Sequence, residues 1–555
     1  MFCICFTNND KTNTDSTDPF VLTAPLYYVN APPHMGSAYT SIAADAIARF
    51  QEPFGLLGKK VAFSTGTDEH GEKIAAAAAA GLSSPNTATL YLKHIAYDKF
   101  IRTTDPKHEE IVKEFYSRVL ANGDIYKVDY EGLYCINCEE YKDEKELLEN
   151  HCCPIHLKPC VARKEDNYYF ALSKYQKPLE ETLTRNPDFV QPSFRLNENI
   201  IYAPSILHVQ SWIKSGLSDF SISRASVDWG VPVPNDDKQT IYVWFDALLG
   251  YISALSGNKD QPNLQTAVSS GWPASLLLIG KDILRFHAVY WLAMLTSAGL
   301  TVPKKDGMKM GKSLGNTLEP NELVHNFGPD AVRYFFLKEV EFGNDGDYSE
   351  DRFINIVNAH LANTIGNLLN HTRGLLRKNC KSTLVVDSAI AAEGTAFKDN
   401  VEKLVENVRG HYENLSLSSA CEVVLEIGNA GNSYMDEEHH GHFLSMGDLV
   451  IILEAMRIIA VALSPVTPNL KLENIRTAWL LKQPVQLCNL DFVMQCDTKW
   501  GGLKGGQVMA QPKPVFARIE QRAETEDRSE LAAKMDLKNK GKPKAIAVPV
   551  AEAEA

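Results

Sequence analysis

The first part of the chain alternates apolar runs with segments of helical periodicity. Residues 21–29 form an apolar run that is typical of a buried strand, and residues 30–33 break it. Apolar residues then recur with helical spacing between residues 37 and 50. A second apolar run, residues 61–63, precedes a glycine-flanked turn and an alanine-rich helix. This order of strand, turn and helix predicts a parallel sheet with helices on its faces, an α/β fold.

The same order of elements returns after residue 235. Residues 241–245 and 276–279 predict two more strands, and a helix follows the second one to about residue 300. Residues 126–235 lack this order and carry clustered cysteines and prolines, so we expect an inserted module there. Beyond residue 349, apolar residues spaced three and four apart predict a packed helical domain. One face of its first long helix carries Ile354, Val357, Leu361, Ile365 and Leu368.

Length and charge restrict the classes of protein to consider. A chain of 555 residues that is 45% hydrophobic has enough apolar material for about three or four domains. Its net charge of −13 argues against a polybasic nucleic-acid coat, although a local basic groove can still bind RNA. The longest apolar run, residues 449–463, contains Glu454 and Arg457 and is too short to cross a bilayer, so it predicts a buried helix. Residues 1–20 contain Asp and no Arg, which is not typical of a secretory signal or a transit peptide.

Five of the eleven cysteines lie between residues 135 and 160. One crowded stretch beside scattered cysteines favours a metal site in an intracellular protein over a disulfide framework. Two pairs with two-residue spacers predict a tetrahedral Zn²⁺ site. The predicted ligands are Cys135, Cys138, Cys153 and His156. Four protein ligands leave no open position for water, so we expect a structural site. Ligation by Cys152 or Cys160, and thiols with no metal at all, are the alternatives.

Two short motifs, far apart in the chain, are suited to phosphate chemistry. His34 and Gly36 lie where the first strand gives way to a helix, and helix N-termini attract phosphate. Lys309 and Lys312 lie in a glycine-containing loop, where paired ammonium groups can neutralise a leaving pyrophosphate. Taken singly, the first motif is more typical of an ordinary turn, and the second is compatible with a solvated basic loop.

The two motifs in this order, with the residues that flank them, resemble those of class I aminoacyl-tRNA synthetases, most closely the bacterial and plant-organellar methionyl-tRNA synthetases. The resemblance covers residues 20–80, 96–197, 209–303, 305–431 and 497–520. It implies a methionine–tRNA ligase that uses ATP with Mg²⁺ to form methionyl-adenylate and then transfers methionine to tRNA(Met). The catalytic residues that it implies are His34, Gly36, Lys309 and Lys312. The ATP-binding residues that it implies are His34, Gly36, Lys281, Asp282 and Lys312.

The resemblance also implies a methionine pocket. Asp68 follows the second strand in a glycine-flanked loop, and its counterpart in the family pairs with the substrate α-ammonium. The other pocket residues that it implies are Leu26, Trp244, Tyr251, Phe286 and His287. Aromatic side chains suit a soft thioether, although core packing is the usual role of any single aromatic residue. An ordinary turn is likewise the alternative for Asp68.

The patterns and the resemblance together divide the chain into consecutive parts. The expected fold class is α/β, a Rossmann-like parallel sheet split by a zinc-bearing insertion and followed by an α-helical anticodon-binding domain. The parts are an N-terminal extension (1–19), the first half of the catalytic domain (20–125), the connecting insertion with its zinc knuckle (126–235), the second catalytic half (236–303), a lysine-loop and stem-contact region (304–348), the anticodon-binding domain (349–470) and a divergent C-terminal segment with a tail expected to be disordered (471–555).

Four features depart from the family pattern. Residues 81–95 look replaced, residues 198–208 look inserted, and residues 301–304 stand where the family has a strand and a turn. Asn367 matches an anticodon-reading position, whereas His371 stands where the family has an Arg, and no Trp follows at the expected place. These departures predict a weak or inactive form of the enzyme.

The departures also keep two other functions open. One is a non-catalytic or partly defective isoform that binds tRNA or other partners. The other is a nucleotidyl transferase that forms adenylates without tRNA, but a small-molecule enzyme needs neither a zinc insertion nor a long helical domain. For the compartment, the resemblance implies a chloroplast or mitochondrion, and the cytoplasm is the alternative.

Overall fold

The computed structural model describes residues 19–30, 35–51, 60–79, 94–136, 140–142, 144, 147–154, 157–186, 189, 209–256, 263–280, 283–302, 320–341, 348–380, 395–438, 444–469, 498–503, 516 and 518–520. The predicted insertion at 198–208 and the predicted disordered tail lie outside these residues. Within the described part of the chain, no helix combines the length and apolar character that crossing a membrane requires.

A parallel sheet forms the first half of the molecule. Its strands are β1 (Phe20–Tyr28), β2 (Val61–Asp68) and β3 (Lys99–Arg102), and they are followed in turn by α1 (Met35–Gln51), α2 (Glu72–Ala79) and α3 (Pro106–Ala121). Leu22 of β1 pairs with Phe63 of β2, and both are fully buried. A parallel strand covered on both faces explains why the sequence of β1 is one apolar run. The predicted order of strand, turn and helix is confirmed, and β2 runs five residues further than its apolar core suggested.

An antiparallel sheet interrupts the parallel one. It is formed by β4 (Ile125–Cys135), β5 (Glu140–Lys142), β6 (Val161–Phe170) and β7 (Phe220–Ser221), in the order β5-β4-β6-β7. Two helices follow β6, α4 (Gln176–Arg185) and α5 (Val209–Lys214). A smaller antiparallel sheet contains β8 (Ser223–Arg224), β9 (Pro232–Val233) and β10 (Asp236–Ile241). The change from parallel to antiparallel pairing agrees with an inserted module.

The predicted strand at residues 241–245 is wrong. β10 ends at Ile241, and the helix α6 (Val243–Ala247) begins two residues later. The Tyr242 carbonyl accepts the N–H groups of Phe245 (2.9 Å) and Asp246 (3.1 Å), which closes a helical turn. Phe245 and Asp246 are both fully buried although they are neighbours, so the alternation of a half-exposed strand is absent.

The second half of the parallel sheet is short. After α7 (Gly250–Ser253) and α8 (Leu264–Ser269), the strand β11 (Leu276–Leu277) pairs in parallel with β1. The sheet order is therefore β11-β1-β2-β3 within the described ranges. A π-helical turn (Phe286–Tyr290) leads into α9 (Trp291–Ser297), as expected for a helix ending near residue 300.

The carboxyl-terminal half is helical. It comprises α10 (Pro320–Phe327), α11 (Pro329–Glu339), α12 (Glu350–Val357), a π-helical segment (Asn358–Gly366), α13 (Asn367–Cys380), α14 (Thr395–Glu413), α15 (Leu417–Glu438) and α16 (Met446–Ala462). The five apolar residues predicted to share a face from Ile354 to Leu368 are all buried. A Ser445–Asp448 capping box starts α16, which is buried along its length, as the apolar run predicted.

Buried charges join these regions. Asp45 of α1 contacts Arg333 of α11 at 2.6 Å, and the Arg333 guanidinium also donates to the Pro465 and Val466 carbonyls. Because a buried charge without a partner is costly, this contact fixes the parallel sheet against the helical half. The same core cluster accordingly contains residues of α1 and of the helical domain.

Glu454 and Arg457, which interrupt the apolar run of α16, form a buried ion pair at 2.7 Å. The Glu454 carboxylate also accepts the backbone N–H groups of Gly501 and Gly502 (2.9 Å each) and of Leu503 (3.1 Å). A Cβ at Gly502 would lie 2.5 Å from Arg457 Cζ, so the glycine permits this close approach. Residues 498–503 are therefore held against α16.

Candidate active site

The candidate site lies where the parallel strands end at their carboxyl edge, the usual ligand position in such sheets. Tyr28 at the end of β1 pairs with Asp68 at the end of β2. Gly36 is half-buried in the first turn of α1, which starts at this edge. The other residues predicted to handle phosphate lie outside the described residues; they are His34, Lys281, Asp282, Lys309 and Lys312.

Asp68 presents a buried carboxylate at this edge. Its side chain is 9% exposed, and it interacts electrostatically with Tyr251. Burial, and then the Asp68 charge, raise the pKa of Tyr251 well above its ordinary value, so the phenol stays protonated. A carboxylate in this position is suited to a cationic partner.

Tyr251 and His287 form a buried polar pair. The Tyr251 hydroxyl lies 2.8 Å from His287 Nε2, and His287 Nδ1 lies 2.8 Å from the Ile283 carbonyl. A carbonyl oxygen only accepts, so Nδ1 carries the proton and Nε2 accepts from the phenol. Burial lowers the pKa of His287 to about 4, and the imidazole is therefore neutral at physiological pH.

Two aromatic rings stack beside this pair. The Trp244 and Phe286 rings are 3.9 Å apart between centroids and inclined by 5°. Leu26 packs on Gly250, where a Cβ would lie 2.4 Å from Leu26 Cδ1. The structure thus pairs Trp244 with Phe286 and Tyr251 with His287. Leu26 contacts Gly250, the neighbour of Tyr251, and Asp68 lies within electrostatic range of Tyr251. Their roles in binding remain predictions.

A buried hydrogen-bonded chain, which the sequence analysis missed, lies behind the pocket. Asp246 is fully buried and contacts His70 Nδ1 and His108 Nε2, each at 2.6 Å. His108 Nδ1 in turn lies 2.7 Å from the Ser253 hydroxyl. Burial opposes the charge on Asp246, but the His70 charge and the His108 hydrogen bond outweigh it and lower the pKa of Asp246 to about 2. Burial lowers the pKa of His70, but the charge and hydrogen bond of Asp246 outweigh it, so the pKa of His70 is raised.

The loop that carries Asp68 and His70 is further fixed by Glu69. Its carboxylate accepts two hydrogen bonds from Arg102 (2.8 and 2.9 Å) and one from Thr67. The Trp229 indole N–H donates to the Glu69 carbonyl at 2.7 Å. Asp68 therefore stands in a loop that is held on both sides.

The predicted zinc knuckle is described in part. Cys135 ends β4 and is 3% exposed, and Cys153 is fully buried. Cys153 N–H donates to the Lys158 carbonyl (2.9 Å), and its carbonyl accepts from Leu157 N–H (2.8 Å), forming a tight turn. Two buried thiols beside such a turn fit the donor chemistry of zinc. Cys138 and His156 lie outside the described residues, and within those residues no three side chains of the metal-binding types are grouped to hold an ion.

Asn367 and His371, predicted to face the anticodon, are both exposed on α13. They lie one helical turn apart and share a face. The structure thus leaves this face open, as either a nucleic-acid contact or a solvated surface requires.

Comparison with known proteins gives one consistent result. Residues 20–156 and 142–373 match the family model described as "tRNA synthetases class I (M)". The chain is 68% identical to the chloroplastic/mitochondrial methionine–tRNA ligase of Arabidopsis thaliana, over 94% of this chain and 86% of that protein. It is 46% identical to the methionine–tRNA ligase of a Nostoc species, over 90% of this chain and 97% of that protein. The solved structure of Mycobacterium tuberculosis methionyl-tRNA synthetase with methionyl-adenylate superposes with a TM-score of 0.78 at 34% identity, covering 90% of this chain and 100% of that one.

Proposed function

Because this chain belongs to the class I methionyl-tRNA synthetases and is a methionine–tRNA ligase, we propose that the pocket beside Asp68 binds the methionine substrate. The observation that carries this proposal is the buried Asp68 carboxylate facing the protonated Tyr251 hydroxyl. The substrate α-ammonium pairs with this carboxylate in a site of low water content, where such a pair is strong.

The thioether of methionine lies among neutral groups. The Trp244–Phe286 stack provides polarisable ring faces, and sulfur contacts with aromatic rings are favourable. His287 is neutral and accepts a hydrogen bond from the Tyr251 hydroxyl, so this pair offers no charge to an apolar side chain. A polar analogue that required a hydrogen-bond donor would find the Tyr251 hydroxyl proton already donated to His287.

The chemical step is positioning and charge stabilisation rather than covalent catalysis. The methionine carboxylate attacks the α-phosphorus of ATP, which enters as its Mg²⁺ complex, and pyrophosphate leaves. His34, which precedes α1 in the sequence, and Gly36 in its first turn contact the nucleotide, and the N–H groups of this helix start favour an anion. Lys281 and Asp282 contact ATP, and Lys309 with Lys312 neutralises the leaving pyrophosphate.

Transfer of methionine to tRNA(Met) completes the reaction. A ribose hydroxyl of the terminal adenosine attacks the adenylate, and AMP leaves. The exposed face of α13 with Asn367 and His371 contacts the anticodon. His371 in place of an arginine offers fewer donors there, so we expect a looser contact.

One structural zinc would be held in the insertion by Cys135, Cys138, Cys153 and His156. With four protein ligands it would stabilise the insertion and would supply no group to the reaction. The name of the Arabidopsis relative supports a chloroplast or a mitochondrion as the compartment.

The test is methionine-dependent exchange of pyrophosphate into ATP, followed by charging of tRNA(Met). The proposal expects exchange with methionine, none without it, and charging of the tRNA. Exchange without charging would identify an adenylate-forming enzyme that does not use tRNA. The absence of both reactions in a protein that still binds tRNA would identify a non-catalytic isoform.

A second candidate is a form of the same enzyme with reduced activity. Residues 301–304 are all that separates the end of α9 and its following turn from the lysine-rich segment. Four extended residues span about 14 Å, which connects two elements but adds no strand. A variant with a strand and turn inserted at this point should charge tRNA(Met) faster than the present chain. Equal charging rates for the variant and the present chain would exclude the reduced-activity form.

A further inference from the structure

Cys135, the last residue of β4, and Cys160, the residue before β6, follow the last pair of one strand ladder. The β4–β6 ladder runs from Ile125 opposite Phe170 to Tyr134 opposite Val161. One further step along each antiparallel strand places Cys135 opposite Cys160, with an expected Cα separation of about 4.5–5.5 Å. A disulfide needs a Cα separation of about 4.4–6.8 Å, so this pair can be bridged without moving the backbone.

Side-chain contacts agree with the strand register. The Cys160 thiol is hydrogen-bonded to the Cys135 thiol and lies within electrostatic range of Cys153. The Cys160 N–H donates to the His151 carbonyl at 3.0 Å, which fixes Cys160 beside the Cys153 turn. Cys160 is partly exposed, whereas Cys135 is buried, so an external oxidant reaches Cys160 first.

The adjacent Cys152 has a different environment. Its Sγ lies 3.8 Å from the Asn150 carbonyl, and its backbone pairs with Leu148 and Pro159. Neighbouring residues in extended backbone point to opposite sides, which separates Cys152 from Cys153. Cys152 is therefore a matched control, a thiol in the same turn but outside the opposed pair.

We propose that Cys135 and Cys160 form a reversible disulfide by exchange with a small disulfide oxidant, and that this bond withdraws Cys135 from zinc. The Cys160 thiolate attacks one sulfur of glutathione disulfide, and one glutathione leaves as a thiolate. Cys135 then attacks Cys160 of the mixed disulfide, and the second glutathione leaves. The protein loses two electrons and two protons, and the oxidant becomes two glutathione thiols.

The cross-link and the zinc ligation compete for one sulfur. The part of the proposal that concerns metal rests on the zinc site proposed above, whereas the disulfide itself does not.

The experiment incubates the full chain with glutathione disulfide and then blocks free thiols with an alkylating agent. Peptide mass spectrometry maps the cross-links, and a chromogenic chelator measures released zinc. Wild type should give the Cys135–Cys160 peptide pair and release zinc in parallel. Cys160→Ser should give no cross-link at Cys135 and retain zinc at least several-fold longer, and Cys152→Ser should behave as wild type.

Other outcomes separate the two parts of the proposal. The same cross-link in protein that holds no zinc would support the disulfide and overturn the zinc competition. A cross-link between other cysteines, or none after prolonged oxidation, would overturn the disulfide. Loss of zinc at the wild-type rate from Cys160→Ser would overturn the zinc competition, because the opposed thiol would then be irrelevant to metal release.

Discussion

His70 and Asp246, 176 residues apart in the chain, are joined by a hydrogen bond of 2.6 Å between Nδ1 and a carboxylate oxygen. His70 stands two residues after Asp68, and Asp246 stands two residues after Trp244. This one contact therefore ties the loop of the proposed ammonium-binding carboxylate to the helix of the stacked aromatic pair.

Asp246→Asn should destabilise the protein by about 3–5 kcal/mol, because His70 loses a buried charge partner. The lowered pKa of Asp246 stabilises the fold above about pH 4 and loses this contribution as the pH falls toward 2. The raised pKa of His70 stabilises it below about pH 6.5 and loses this contribution as the pH rises through the raised value. Urea unfolding should show the largest difference from wild type between about pH 4 and 6.5.

The control for this variant is Asp129→Asn. Asp129 lies 3.5 Å from Lys164, and both side chains are more than half exposed, so the cost should stay below about 1 kcal/mol. Equal destabilisation by the two substitutions would show that the His70–Asp246 contact has no special role.

His287 should make stability depend on pH in the direction opposite to that of His70. Its pKa of about 4 in the fold is below the ordinary value near 6.5, so the unfolded chain binds the extra proton first. Stability should therefore decrease by about 3 kcal/mol as the pH falls from 6.5 to 4. His287→Gln should lack this part of the slope, and the same slope in both proteins would contradict the buried neutral imidazole.

Asp68→Asn should raise the KM for methionine by about 10²–10⁴-fold, since a buried charge pair is worth about 3–5 kcal/mol. Binding of ATP should not change. Asp98→Asn is the control, because that carboxylate accepts the Phe63 N–H at 2.8 Å and an amide oxygen can replace it. Unchanged methionine kinetics in Asp68→Asn would remove this residue from the pocket.

Cys153→Ser should reduce bound zinc from about one per chain to well below that, while Cys152→Ser should retain it. Loss of a structural metal removes folding free energy from the module that it ties together. Metal analysis of the purified proteins, with limited proteolysis of the insertion, provides the measurement. Full zinc content in Cys153→Ser would indicate another ligand set.

Lys312→Ala should lower kcat for adenylate formation about 100-fold or more while the KM for ATP changes little. The ammonium group acts mainly as pyrophosphate separates, so its effect appears in the transition state. Lys304→Ala, outside the motif, should leave both constants near wild type. A raised KM with an unchanged kcat would make Lys312 a uniform binding residue instead.

The first strands of the parallel sheet and the first long helix of the carboxyl-terminal half could be predicted because their signals are local. The apolar run of β1 and the spacing of Ile354 through Leu368 each encode a buried face within a few turns of chain. Residues 243–247 could not be predicted in this way, because a helix buried on all sides has the same apolar run as a buried strand.

The polar chain behind the pocket could not be predicted from local patterns. His108 and Asp246 lie 138 residues apart, and nothing in either segment signals the other. The family resemblance supplied the pocket residues instead, and in the structure Tyr251 is hydrogen-bonded to His287 and lies within electrostatic range of Asp68. Contacts between residues so far apart in the chain leave no pattern in the residues around either one, so a single sequence does not reveal them.

The Glu454 carboxylate has a consequence for the order of events during synthesis on the ribosome. α16 is translated well before Gly501, Gly502 and Leu503, whose N–H groups it needs. Until those residues emerge, the helical half can fold only with a carboxylate whose donors are incomplete, at a cost of about 1–3 kcal/mol or more. The helical half is thus completed late. A truncated protein that ended before Gly501 would keep Glu454 of α16 without these donors, and chaperones would retain it or proteases would degrade it more readily than the full chain.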